Sequence, residues 1–346
     1  MATVILHVGM SKTGSSSIQR WLGENLSFLR ERGIDCLRAR RGGTGPISVL
    51  PAEPGRARSQ NPFLGVRDHD DRVTVLRELV EQLDAQASRH DAVVVTNEGF
   101  ELLVQSEDKR LREPLEVLAR DHRVRVVYYV RPQDTWLEAA WRQWGFRHPW
   151  RPSKWLRRQE PRVRYLRTLD RVRAEAPSVA FEMRPFRSDL FVGGEVVSDF
   201  AAAVLGCHDA PALRADDGRS NRGFPLELSI LLRAAPPGMF WASLHDNRTL
   251  DRLKRFVLAW DDGPESESVA RSRAVLRRYC TDTYEPENRM LVETLGWRTD
   301  HFVTPAAPAL DVVGDLVQID DLWSPSASEG ERQLIFRALA ALVESE

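Results

Sequence analysis

The segment Gly9-Met-Ser-Lys-Thr-Gly-Ser-Ser-Ser17 brings together residue types suited to gripping an anion. Small side chains let successive backbone N–H groups turn inward around an oxyanion, and a helix starting within the segment adds partial positive charge. Lys12 contributes a compact ammonium. Its type is unusual here, because only four of the 49 basic residues are lysine: Lys12, Lys109, Lys154 and Lys254. A codon bias toward arginine explains the others, and it makes a retained lysine more informative. Two further ionisable residues follow apolar runs directly, Glu98 after Val93–Asn97 and Arg131 after Val124–Val130. A carboxylate so placed can accept a proton, and a guanidinium fork suits a phosphate dianion.

The elements that must position these groups follow from hydrophobic periodicity. Residues 3–8 read as a buried strand closed by Gly9, and Ile18, Trp21, Leu22, Leu26 and Leu29 recur at helical spacing until Gly33. Residues 42–70 lack periodicity and read as a long loop that could act as a lid. A helix is predicted over 72–89, a strand over 92–96, a helix over 108–121 and a strand over 124–130. A helix from about 134 and a shorter strand over 179–183 follow. This alternation predicts an α/β fold, a central parallel sheet flanked by helices, with ligands beyond the carboxyl ends of the strands. From about 198 the chain reads as mostly helical, over 199–206, 224–235, 248–260, 270–280, 285–295 and 330–344. With no internal repeat or clean linker, one domain over 1–346 is expected, its α/β core in 1–200 and helical elaborations in 201–346.

Composition removes several classes. A net charge of −1 with 42% hydrophobic and 29% charged residues argues against a disordered chain. No start segment resembles a signal peptide and no apolar window is long enough to span a membrane, so a cytoplasmic protein is expected. Cys36, Cys207 and Cys280 are odd in number and far apart, which speaks against a disulfide framework or structural zinc. The histidines show no HExxH or HxH spacing, so no metal site is indicated.

Gly9 and Gly14 have the GxxxxG spacing of a Walker A loop, but Ser15 stands where Walker A requires lysine. Lys-Thr-Gly-Ser-Ser after a first strand instead resembles the 5′-phosphosulfate loop of sulfotransferases that use 3′-phosphoadenosine 5′-phosphosulfate (PAPS). The resemblance implies that Lys12 contacts the oxygen bridging phosphate and sulfate, stabilising charge on the leaving adenosine 3′,5′-bisphosphate (PAP). It also implies that Thr13, Gly14, Ser15, Ser16 and Ser17 surround the 5′-phosphate with hydroxyls and amides. Val-Val-Tyr-Tyr-Val-Arg-Pro-Gln-Asp134 is similar to that family's strand ending in the arginine of the 3′-phosphate site, a role that falls to Arg131. The family's serine eight positions later is Ala139 here, and Arg142 is a possible substitute. Phe186–Phe200, Ser220–Phe224 and Tyr284–Arg289 add diffuse similarity to bacterial sulfotransferase-like proteins, and Arg219–Gly223 could close over the 3′-phosphate.

Sulfuryl transfer needs a base at the acceptor hydroxyl. Glu98, at the end of a buried strand, is the expected one. His69 lies in the candidate lid, and His7 reads as a satisfied core histidine. With Lys12 and backbone donors supplying positive charge, no metal is expected. Five of the ten tryptophans fall within 136–155, and Trp141–Arg173 carries eleven bases against two acids. One reading of that stretch is an acceptor surface for a carbohydrate, glycolipid or small metabolite, with the bases holding an anionic one. It could equally be packed aromatics beneath a solvated helix face. The competing functions are a P-loop kinase-like phosphotransferase and a catalytically inactive nucleotide- or nucleic-acid-binding protein, with nucleic acid the less expected ligand.

Overall fold

The computed structural model describes residues 1–41, 47–54, 61–66, 68–148, 150–213, 224–234, 267–298 and 302. Six strands form one sheet: β1 (Thr3–Val8), β2 (Ile34–Arg41), β3 (Ile47–Pro51), β4 (Ala92–Asn97), β5 (Arg123–Val130) and β6 (Ala180–Pro185). Their order is β3-β2-β4-β1-β5-β6, and every pair is parallel except β2 with the edge strand β3. The α/β architecture and mostly parallel sheet expected from the alternation are present. β2 and β3 are additional, and β3 lies inside the stretch read as a lid. Asp35, Arg38, Arg40 and Arg41 break the apolar run that would have marked β2.

β1 lies between β4 and β5, with Val8 opposite Asn97 and His7 opposite both Thr96 and Val127. The chain therefore passes from one side of β1 to the other between β4 and β5. This reversal places the exits of three neighbouring strands together, the usual position of a ligand crevice in an open parallel sheet. Helix α1 (Ser15–Glu24) and the short α2 (Leu26–Arg30) bury Ile18, Trp21, Leu22, Leu26 and Leu29 in one cluster with Ile5, Val94, Val127 and Tyr129. The Trp21 indole N–H donates to the Pro211 carbonyl at 2.7 Å, so burying it strands no polar group. Helix α3 (His69–Ala87) starts at Asp68, whose carboxylate accepts from the amides of Asp70 and Asp71 at 2.7 and 3.3 Å. Helices α4 (Glu101–Gln105) and α5 (Glu113–Asp121) lead into β5.

The chain divides into two compact units. The sheet unit comprises Met1–Arg131, Arg164–Arg214 and Glu287–Phe302, and the second comprises Pro132–Val163, Ala215–Pro286 and Val303–Glu346. The division thus falls at Arg131/Pro132 and Val163/Arg164 as well as further along, where a single domain with a change of character near 200 was expected. Helices α6 (Gln133–Trp141) and α7 (Pro152–Val163) belong to the second unit; α8 (Tyr165–Glu175) and the one-turn α9 (Val196–Asp199) belong to the first. α10 (Leu226–Arg233) matches the helix expected over 224–235. Those expected over 270–280 and 285–295 form one helix, α11 (Glu267–Leu295), with Pro286 inside it. The helices read over 248–260 and 330–344 lie outside the described residues. No described helix is long and apolar enough to cross a membrane.

His7 is fully buried in β1, edge-on to Tyr129 and Phe200. Its Nδ1 lies 2.7 Å from the Thr96 hydroxyl, but its Nε2 has no hydrogen-bond partner. The expectation of a satisfied core histidine therefore holds for one nitrogen only. Burial pushes the imidazole down from 6.5 to about 3. Between those values the unfolded chain binds a proton that the native state refuses, so stability falls as pH falls. From pH 7.5 to 5 this one group should remove about 2 kcal/mol. Urea unfolding across that range should show the loss in the wild type and not in His7→Leu; parallel pH profiles would contradict the assignment.

Candidate anion-binding site

The loop leaving β1 is shaped by two left-handed residues. Gly14, the N-cap of α1, has φ 76°. Lys12 has φ 69° and is the only non-glycine residue with positive φ among those described. This conformation costs a lysine about 1–2 kcal/mol, so the surrounding loop must hold it in place. The holding contacts converge on one carbonyl. The Thr13 hydroxyl donates to Met10 O at 2.5 Å, and the Ser15 hydroxyl points at the same oxygen from 3.4 Å. Gly9 makes room for this arrangement, since a Cβ there would lie 2.3 Å from Ser15 Oγ.

This geometry sorts the residues expected to surround a phosphate. Thr13 and Ser15 are buried with their hydroxyls turned into the loop, so they can offer an anion only their amides. Ser16 and Ser17 are partly exposed, as is Lys12. No side chain caps α1 and no acid occupies its first turn. The amides of Ser17 and Ile18 bond to Gly14 O, while those of Ser15 and Ser16 precede the first intrahelical bond. Free amide dipoles, the helix N-terminus and a lysine together create a locally positive end.

The two other sequence-predicted residues share the sheet unit with this loop. Arg131 follows β5, its Nη1 donates to the Lys12 carbonyl at 3.4 Å, and its guanidinium sits 5.9 Å above the Phe186 ring. Glu98 follows β4 and is exposed, with its Cγ 3.4 Å from the position a Cβ would take on Gly9. The Asn97 side chain accepts from Gly99 N at 2.6 Å and fixes the turn Glu98–Phe100 that carries it. Asn61, from the stretch read as a lid, packs so tightly on Gly99 that an added Cβ would meet its Oδ1 at 2.2 Å.

Sequence reasoning missed the groups that brace the site. The segment after β6 covers Gly14, where an added Cβ would meet Val196 Cγ1 at 2.7 Å and Phe186 Cε2 at 3.2 Å. Buried Asp199 anchors that segment. Its carboxylate accepts from Tyr129 Oη at 2.6 Å, from Arg184 Nε and Nη2 at 2.9 and 2.8 Å, and from Val192 N at 3.3 Å. Burial and the adjacent Asp199 carboxylate raise the Tyr129 phenol well above its usual value, so it stays a neutral donor. Tyr165 Oη donates to the Arg131 carbonyl at 2.8 Å and lies 3.5 Å from Met10 Sδ. These partners are 34 and 155 residues away in the chain, so no local pattern announces them.

Other candidates fall elsewhere. His69 begins α3 and lies 3.8 Å from the Asp108 carboxylate. In the second unit Trp136, Trp141 and Trp155 are fully buried, with Trp141 and Trp155 edge-to-face at 5.5 Å. Gly145 is pinned between those two rings, a Cβ there falling within 2.8 Å of both. Trp150 stacks on His148 at 4.3 Å and lies 4.2 Å below the Arg158 guanidinium. Most of this aromatic cluster is therefore packing, which leaves Trp144, Trp150 and the exposed bases of α7 for any acceptor surface. Arg142, the possible replacement for a serine at Ala139, donates its Nε to the Phe224 carbonyl at 2.5 Å and lies 3.6 Å from Glu138. Arg219–Gly223 lies outside the described residues. No group of His, Cys, Asp or Glu that could hold a metal ion occurs among the described residues. No family model matches the chain, and no curated protein or solved structure does either.

The strain at Lys12 has a measurable consequence. Lys12→Gly relieves a cost of about 1–2 kcal/mol and loses about 0.4–1 kcal/mol to added chain entropy. Denaturant unfolding should find Lys12→Gly as stable as the wild type or up to about 1.5 kcal/mol more stable. A stability loss above about 1 kcal/mol would show that lysine occupies this position for structural reasons.

Proposed function

We propose that this chain is a PAPS-dependent sulfotransferase, which moves a sulfuryl group to an acceptor hydroxyl and releases PAP. The observation that carries the reading is a lysine held in a left-handed conformation at an uncapped helix N-terminus, with an arginine from the adjacent strand reaching its carbonyl. A strained non-glycine residue persists where the surroundings enforce it, most often at functional sites. In this reading the amides of Gly14, Ser15 and Ser16 and the partly exposed hydroxyls of Ser16 and Ser17 bind the 5′-phosphate. Arg131 binds the 3′-phosphate. Lys12 stabilises negative charge developing on the bridging oxygen as the S–O bond to PAP breaks and the bond to the acceptor oxygen forms. Glu98 accepts the proton that the acceptor hydroxyl releases.

Ser15 bears on the rival phosphotransferase reading. It occupies the Walker A lysine position, yet it is buried and turned toward Met10, so no ammonium reaches a β- or γ-phosphate from there. The acceptor is a small molecule or carbohydrate hydroxyl, whose proton Glu98 takes as the sulfuryl group is transferred.

Thermal-shift and calorimetric titration with PAP, ATP–Mg²⁺ and single-stranded DNA tests the reading on the full chain. PAP should bind in the presence of EDTA, and Lys12→Ala and Arg131→Ala should each weaken it about tenfold, the loss of one charged hydrogen bond. Stabilisation by ATP–Mg²⁺ but not by PAP would sink the proposal. In an acceptor screen following labelled sulfate, Glu98→Gln should lower turnover about a hundredfold or more with PAP affinity unchanged. Undiminished turnover would remove Glu98 from the mechanism.

A further inference from the structure

The anion-binding groups come from two separate segments, the loop after β1 and the residue after β5. A ligand carrying two phosphates on one ribose requires those segments at a fixed separation. Strand pairing alone does not set it, because β5 continues to Val130 beyond the residue paired with His7, Val127. A side chain whose hydroxyl reaches both is Tyr165. It is buried at the first position of α8, with Oη 2.8 Å from the Arg131 carbonyl, to which it donates, and 3.5 Å from Met10 Sδ. Met10 is the residue whose carbonyl gathers Thr13 and Ser15. Arg131 in turn donates to the carbonyl of Lys12 at 3.4 Å, which closes a circuit Met10–Tyr165–Arg131–Lys12. The base of α8 is itself held: Glu287 accepts from the Leu166 amide at 3.2 Å and from Arg164 Nη1 at 3.0 Å.

We infer that Tyr165 is a positioning residue, whose hydroxyl locks the Arg131 segment to the Lys12 loop and sets the spacing at which two phosphates of one nucleotide are held together. The inference rests on the bisphosphate reading above. Tyr165 contacts no phosphate in this role. It acts through the backbone of Arg131, so it governs how the two anion sites work in concert and leaves the 5′ site alone unaffected.

The test is calorimetric titration of the full-length wild type, Tyr165→Phe, Arg131→Ala and the double variant with PAP and with AMP, which lacks the 3′-phosphate. Tyr165→Phe should lose five- to tenfold in PAP affinity and less than twofold in AMP affinity, with a thermal midpoint near that of the wild type. In the Arg131→Ala background, Tyr165→Phe should change PAP affinity less than twofold, because the group it positions is gone. Glu287→Gln, which loosens the base of α8 without altering Tyr165, should give a smaller loss with the same preference for PAP over AMP. Equal losses for the two nucleotides, additive losses in the double variant, or unchanged PAP affinity would each overturn the positioning role. Wild-type protein that binds PAP no better than AMP would overturn the bisphosphate reading itself, and the role of Tyr165 with it.

Discussion

The placement of β1 between β4 and β5 is the constraint on which the site depends. Parallel strands point the same way, so their exits share one edge, and the passage of the chain across β1 between β4 and β5 falls where open parallel sheets usually bind ligands. Once β1 occupies the centre, Gly9–Gly14, Glu98 and Arg131 emerge from three adjacent strands. Buried apolar strands and the Trp21 face of α1 secure this arrangement. Chemistry then needs only the correct residues at the three exits.

At the central exit, local forces oppose one another. A lysine resists the left-handed conformation, and the site enforces it with inexpensive means: two hydroxyls on the Met10 carbonyl, a bare Gly9 behind Ser15, and a bare Gly14 beneath Val196. The segment that supplies Val196 is held by the buried Asp199–Arg184–Tyr129 network. A buried carboxylate is tolerable there because it accepts hydrogen bonds from two side chains and one backbone amide, which meets most of its desolvation cost. Hydroxyls that a sequence reading assigns to a ligand thus divide into two kinds. Thr13 and Ser15 build the loop, while Ser16 and Ser17 remain partly open to an anion.

How far the sequence foretold this depended on whether a signal was local. Runs such as Val4–Leu6 and Val93–Val95 are long enough and apolar enough to mark buried strands, and a glycine- and serine-rich turn between strand and helix marks the loop. Arg131 and Glu98 were legible because they directly follow such runs. β2 was not, since Asp35 is buried within it and balanced by Arg30 at 2.9 Å, an ion pair that no periodicity encodes. The tryptophan-rich stretch left two readings open, a binding surface or packed aromatics, and three of its indoles are fully buried, two of them closing on Gly145. Tyr165, Arg184 and Asp199 gain their importance from partners distant in the chain, and only the fold discloses them. The same holds for the grouping of 132–163 with 215–286, segments that lie far apart in the chain.

In the proposed function one nucleotide is held at two distinct anion sites, its 5′-phosphate by the Lys12 loop and its 3′-phosphate by Arg131. Phosphorus NMR of PAP bound to the full-length protein tests this most directly, because the two phosphates give separate resonances. Both resonances should move on binding without metal, Lys12→Ala should return chiefly the 5′ signal toward its free position, and Arg131→Ala chiefly the 3′ signal. Resonances that respond identically to the two substitutions, or that do not move when the wild type is added, would contradict that assignment.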